Sequence, residues 1–121
     1  MSEARILVVD DTPQNIKVLD AMLTPRGYDV VQAESGEEAL AKIESERPDL
    51  VLLDIVMPGI DGWEMLRRIH ERHGPVRVIM FSGHVDDRSA ADAASAGAQG
   101  FLGKPFDPHD LIEQTKQLLP T

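Results

Sequence analysis

Three short stretches of the chain are apolar at every position: ILVV at 6–9, LVLL at 50–53 and VIMF at 78–81. Each is too short for a helix and rich in the β-branched residues that strands prefer. A strand without polar alternation is one covered on both faces, which predicts parallel pairing with helices above and below. YDVVQA at 28–33 and AQGFLG at 98–103 are weaker strand candidates, the second diluted by glycine and so placed at an edge. Between these runs the pattern changes to helical spacing. Thr12 and Pro13 suit an N-cap and first turn before Ile16, Leu19, Met22 and Leu23, and Pro25 with Gly27 ends that helix. Ser35 with Glu38, and Asp61 with Glu64, make capping-box patterns that open two further helices. Asp86 to Ala96 reads as a helix with a small-residue face, and Asp107 to Leu118 as an amphipathic one. Five β and five α elements alternate without a repeat or linker, so the expected fold is α/β, a five-stranded parallel sheet with helices on both faces and right-handed crossovers.

The chain has 121 residues, enough for one domain with a real core, and the expectation is a single domain over 1–121. It has no cysteine, which excludes disulfides and thiolate metal sites and fits a reducing compartment. Apolar runs of four residues fall far short of the ~20 that span a bilayer, and the N-terminus lacks the layout of a signal peptide. These features predict a cytoplasmic protein that engages no membrane. With 21 acidic against 12 basic side chains the formal charge is -9. That balance argues against binding a phosphate backbone and favours cations or basic surfaces.

The residues that close the strands carry the chemistry. Asp10 and Asp11 follow ILVV, Asp54 follows LVLL, Ser82 follows VIMF, and Lys104 follows FLG. Parallel strands share direction, so these groups meet on the carboxyl rim, where open α/β sheets bind ligands. A strand order of 2-1-3-4-5 sets the three acids beside the switch-point crevice. Carboxylates at 4 Å repel by about 4 kcal/mol per pair at an effective dielectric near 20, so the cluster needs a counter-charge. An all-oxygen set favours a hard divalent ion, Mg²⁺ before Ca²⁺. With Lys104 as a second cation and Ser82 as a hydroxyl donor, the set suits phosphoryl transfer to an aspartate. The residues alone leave open which Asp attacks.

In this order the residues resemble the receiver domain of two-component response regulators, a flavodoxin-like fold, in its chemotaxis-regulator-like single-domain form. The marks are Asp10-Asp11, LLDIVMPGIDG at 52–62, Ser82, and GFLGKPF at 100–106, with Lys104 lying 22 positions beyond Ser82. The resemblance implies that Asp54 is the phosphoacceptor, served by a histidine kinase or phosphotransfer protein. It implies that Asp11 and Asp54 bind Mg²⁺ with the backbone carbonyl of Val56, and that Asp10 acts mainly through water. Ser82 and Lys104 would contact the phosphoryl oxygens, Phe101 would be the switch aromatic, and the Lys104-Pro105 bond would be cis. The output would be the surface of the fourth helix, fifth strand and fifth helix, read by a downstream protein or a fused output domain. No nucleic-acid-binding segment is expected within this chain.

The sequence departs mildly from the family pattern: Ser82 stands where threonine is more frequent, and Val56 offers no polar group to guide a hydrolytic water. Two other readings are weighed. A pseudo-receiver would keep the fold without phosphorylation, against which the intact acidic set argues. Among Mg²⁺-dependent aspartyl-phosphate phosphohydrolases, dehalogenase-type enzymes carry the nucleophile on the first strand and add a cap domain, which this length lacks. Trp63 and the methionines at 22, 57, 65 and 80 read as core. His70, before Glu71 near a helix end, reads as a solvated position rather than a phosphoacceptor.

Overall fold

In the computed structural model the described residues are 4–54, 62–74, 76–82, 94–103 and 108–119, without the side chains of Ser82 and Pro108. The three apolar runs and the two weaker candidates become β1 (Arg5–Val9), β2 (Asp29–Ala33), β3 (Leu50–Asp54), β4 (Val78–Ser82) and β5 (Gly100–Gly103). All pair in parallel, in the order β2-β1-β3-β4-β5.

The missing alternation has the expected cause. Within each run, successive side chains enter opposite cores. Leu7, Val9, Val51, Leu53, Val78 and Met80 face Leu40, Ile43, Met65, Leu66 and Ile69, while Ile6, Val8, Leu50, Leu52, Ile79 and Phe81 face Ile16, Leu19, Leu23, Leu111 and Ile112. Two hydrophobic layers thus clamp one sheet, and burying such side chains stabilises it by roughly 1.5–3 kcal/mol each. The flanking strands are less covered: Gln32 on β2 and Gly103 on β5 are exposed.

Helix α1 spans Pro13–Leu23 and a 3₁₀ turn, Thr24–Arg26, closes on Gly27 at φ 90°. Helix α2 is Gly36–Glu46 and α3 is Gly62–His73; a C-terminal helix covers Pro108–Leu118. Thr12 is the N-cap of α1 by backbone position, yet its side chain caps nothing. Ser35 accepts from the Glu38 N–H at 3.2 Å as its pattern predicts, but Glu38 reaches past Ser35 to the Glu34 N–H at 2.7 Å. That bond holds the Glu38 carboxyl below the usual glutamate range. Arg47 ends α2 in the left-handed region at φ 48°, a place where glycine is usual. Of the helix expected over 86–96, residues 86–93 lie outside the described set. Ala94 and Ser95 are helical, and Gly97, at φ 104°, donates its N–H to the Ala94 carbonyl at 3.1 Å.

Candidate functional site

Strand register carries the chemistry to the rim. Val9 lies opposite Leu53, so the next residue on each strand, Asp10 and Asp54, emerges at one level. Asp54 pairs with Phe81, and Ser82 with Gly103, so the strand exits step across the sheet toward β5. Asp10 is fully buried, Asp54 is 3% exposed, and Asp11 lies in solvent at the mouth. One carboxylate oxygen from each of Asp10, Asp11 and Asp54 lies within 4.8 Å of the other two.

Local chain geometry fixes Asp10. Its N–H extends the β1–β2 ladder by one bond, to the Ala33 carbonyl at 3.1 Å. The chain then turns into α1. Asp10 Oδ1 accepts the Thr12 N–H at 2.9 Å, and Oδ2 accepts the Asn15 side-chain amide at 3.0 Å. These donors are neutral, so they orient the carboxylate without cancelling its charge. Asn15 was not among the candidates read from the sequence. Its signal was an amide in the first helical turn, where a capping box carries Glu or Gln.

Among the described residues the donor set is hard oxygen, without imidazole or thiolate. Around an ion holding oxygens at 2.0–2.6 Å, ligand oxygens lie about 3 to 5 Å apart. The three carboxylates are therefore spaced for one hard divalent cation, with water completing its shell, and such a cation would offset their mutual repulsion.

The other candidates divide. Ser82 ends β4 at the rim, its side chain being outside the described residues. Val56, Lys104 and the Lys104-Pro105 bond also lie outside them, as does Met57. Phe101 is half-buried against the α2–α3 side of the core, and its carbonyl accepts the Gln114 amide at 3.3 Å. Met65 and Met80 are wholly buried, and Met22 and Trp63 pack on the cores, as their pattern predicts. His70 departs from expectation. It is half-buried, with Nε2 3.0 Å from the Val76 carbonyl oxygen, and its ring packs so near Gly97 that a Cβ there would come within 2.9 Å of Cε1. These are contacts between elements, which helical periodicity does not encode.

Known proteins fit this geometry. The family model described as the response regulator receiver domain matches residues 6–116. The protein PilH of Pseudomonas aeruginosa is 35% identical over 118 residues, covering 96% of this chain and 98% of PilH. The alkaline phosphatase synthesis transcriptional regulatory protein PhoP of Bacillus subtilis is 34% identical over 115 residues, covering 95% of this chain and 48% of PhoP. The chain spans about half the length of PhoP, 49% of ResD from the same organism, and 26% of PleD from Caulobacter vibrioides. Among solved structures, the CheY-like receiver domain protein of Methanospirillum hungatei JF-1 superposes with a TM-score of 0.88 at 35% identity, covering 96% of this chain and 93% of that one. The two cores, the strand order and the acidic rim thus have one common explanation: the chain belongs to the receiver domain family of two-component response regulators.

Proposed function

We propose that the chain is a phosphorylation-dependent switch in which Asp54, assisted by Mg²⁺, accepts a phosphoryl group from a phosphohistidine on a histidine kinase or phosphotransfer protein. The observation that supports this most is the convergence of three carboxylates within 4.8 Å at the carboxyl ends of adjacent strands. Among them Asp54 is the best placed to attack. Both oxygens of Asp10 already accept fixed donors, and Asp11 sits in solvent beyond the strand end. Asp54 closes a fully buried central strand, so its carboxylate is delivered by a rigid element.

In the transfer, an Asp54 oxygen attacks phosphorus in line, the P–O bond forms as the P–N bond breaks, and the leaving imidazole nitrogen takes a proton from solvent. Mg²⁺ held by Asp11, Asp54 and the Val56 carbonyl would neutralise charge on the phosphoryl oxygens. Asp10 would act mainly through cation-bound water, its two fixed donors setting the plane of the carboxylate. Lys104 would pair with the phosphoryl group and Ser82 would donate to it. The drawing of Ser82 toward that group would free the space into which Phe101 turns, shifting the population of the surface formed by the fourth helix, β5 and the C-terminal helix. A downstream protein or fused output domain would read that surface.

The test is intact mass after incubation with Mg²⁺ and acetyl phosphate. Wild type gains one phosphoryl group, mapped by fragmentation to Asp54, and Asp54→Asn gains none. A phosphorylated Asp54→Asn protein, or a wild type that stays unmodified, contradicts the proposal.

A further inference from the structure

The acidic rim has a neutral partner that the phosphoryl chemistry above does not use. We infer that Asn15 is a positioning residue of this site, whose side-chain amide sets how tightly the three carboxylates hold a divalent cation. The inference rests on the proposed Mg²⁺ site and adds the residue that tunes it.

Asp10 is wholly buried beside Asp54, so its orientation decides whether the rim presents a focused negative field or a splayed one. The Thr12 N–H on Oδ1 at 2.9 Å and the Asn15 amide on Oδ2 at 3.0 Å each hold one oxygen and together fix the carboxylate's plane. The Asn15 backbone is itself fixed, its N–H bonded to the Thr12 carbonyl at 3.0 Å.

The start of α1 gives up its own capping to make this arrangement. The Thr12 side chain caps nothing. The Thr12 N–H, which a capping-box carboxylate at position 15 would take, goes to Asp10 instead. Restoring the box with Glu or Asp at position 15 would bring a fourth negative charge against a buried carboxylate. Glu37 and Glu38, Glu64 and Asp110 occupy the first turns of α2, α3 and the C-terminal helix, whereas the first turn of α1 contains no acid. An amide supplies a donor there without charge, as do outer-shell partners that hold metal-ligating groups in place. Removing such partners typically costs about 10- to 100-fold in affinity.

Calorimetric titration of the full chain with MgCl₂ tests this, with melting curves in EDTA alongside. Asn15→Leu, which removes the donor and excludes a replacement water, should weaken Mg²⁺ binding by about 10-fold at most, the low end of the range for partners of direct ligands, since Asp10 acts through water. Asn15→Ala keeps a good helix former and should weaken it less, because water can re-enter. Lys17→Leu, on the exposed side of α1, should bind as wild type does. The Thr12 amide proton, which reports the Asp10 bond, should move in the Asn15 variants without metal and stay in place in Lys17→Leu. Asn15 variants that fold and bind Mg²⁺ like wild type overturn the inference, as does loss of folding in both, which would make Asn15 purely structural. If wild type binds Mg²⁺ and Asp11→Asn does not, while the Asn15 variants still bind, only the role of Asn15 fails. A wild type that takes up no Mg²⁺ overturns the site and this inference together.

Discussion

Acidic side chains gather at both ends of the sheet, and the two ends handle them differently. At the amino end Arg5 opens β1 and serves its neighbours. Its guanidinium donates to Asp29 at 2.8 Å, to the Glu46 carbonyl at 2.9 Å and to the Glu46 carboxylate at 3.3 Å, while its backbone N–H donates to Asp49 at 2.8 Å. The bond to Asp29 pushes the Arg5 pKa up. These groups stay in partial contact with water. At the carboxyl end Asp10 and Asp54 are buried, Asp11 joins them, and the donors described on Asp10 are neutral. Among the described residues, one end neutralises its acids with an in-chain cation, while the other gathers them where we propose that a cation from solution binds. On that proposal the same residue type is structural at one pole and chemical at the other, and its surroundings decide which.

The largest expected effect that sharpens this contrast is at the rim. Asp11→Asn should lose saturable Mg²⁺ binding in calorimetry and slow acetyl phosphate uptake, while Asp49→Asn at the amino end should change neither. The next effect is on stability. In EDTA, Asp54→Asn should melt higher than wild type, because it removes one of the repelling carboxylates, a gain of about 1–2 kcal/mol after screening. In excess Mg²⁺ that advantage should shrink or reverse, since wild type then gains binding free energy that the variant lacks.

Packing beneath the amino end gives a comparable figure without chemistry. A Cβ on Gly100 would displace the end of the Gln114 side chain and meet Ile79 Cγ1 at 3.1 Å, whereas one on Gly103 would meet nothing within 4 Å. Gly100→Ala should cost about 1 kcal/mol in denaturant unfolding and weaken the Gln114–Phe101 bond, while Gly103→Ala should be nearly neutral. A smaller loss is expected from Arg5→Met, visible as a lower denaturant midpoint that fades at high salt, with Mg²⁺ affinity unchanged.

The smallest effect is a pH dependence on α3, away from both poles. The Arg67 hydrogen bond holds the Glu64 carboxyl below its ordinary range. A lowered folded pKa stabilises the fold above the unfolded value of about 4.3 and loses that contribution as pH falls through the folded value. Wild type should therefore melt slightly above Glu64→Gln near neutral pH, and the gap should close in acid. A gap that widens in acid contradicts this assignment.

Much of this contrast was legible in the sequence, and the parts that were not share a cause. ILVV, LVLL and VIMF could be read as doubly covered strands because apolar side chains on both faces leave no alternation. Asp10, Asp11 and Asp54 could be joined because parallel strands end on one side. Asn15 was missed because an amide in a first helical turn is ordinary, and only the turn of the chain around Asp10 gives it a partner. His70 was misplaced because its burial comes from the Val76 carbonyl and from Gly97, both beyond the reach of helical spacing. Arg47 likewise ends α2 in a conformation for which its residue type carries no signal. Patterns within an element were readable, and contacts between elements that depend on one side chain's reach were not.

The central claim is that carboxylates from two strand ends act as one cation-binding unit, and a Mg²⁺ titration followed by amide chemical shifts tests it most directly. Saturable one-to-one shifts centred on residues 10–12 and 53–54, abolished by EDTA and absent in Asp11→Asn, are the predicted result. Shifts that fail to saturate, or that centre on the acids around Arg5, would contradict it.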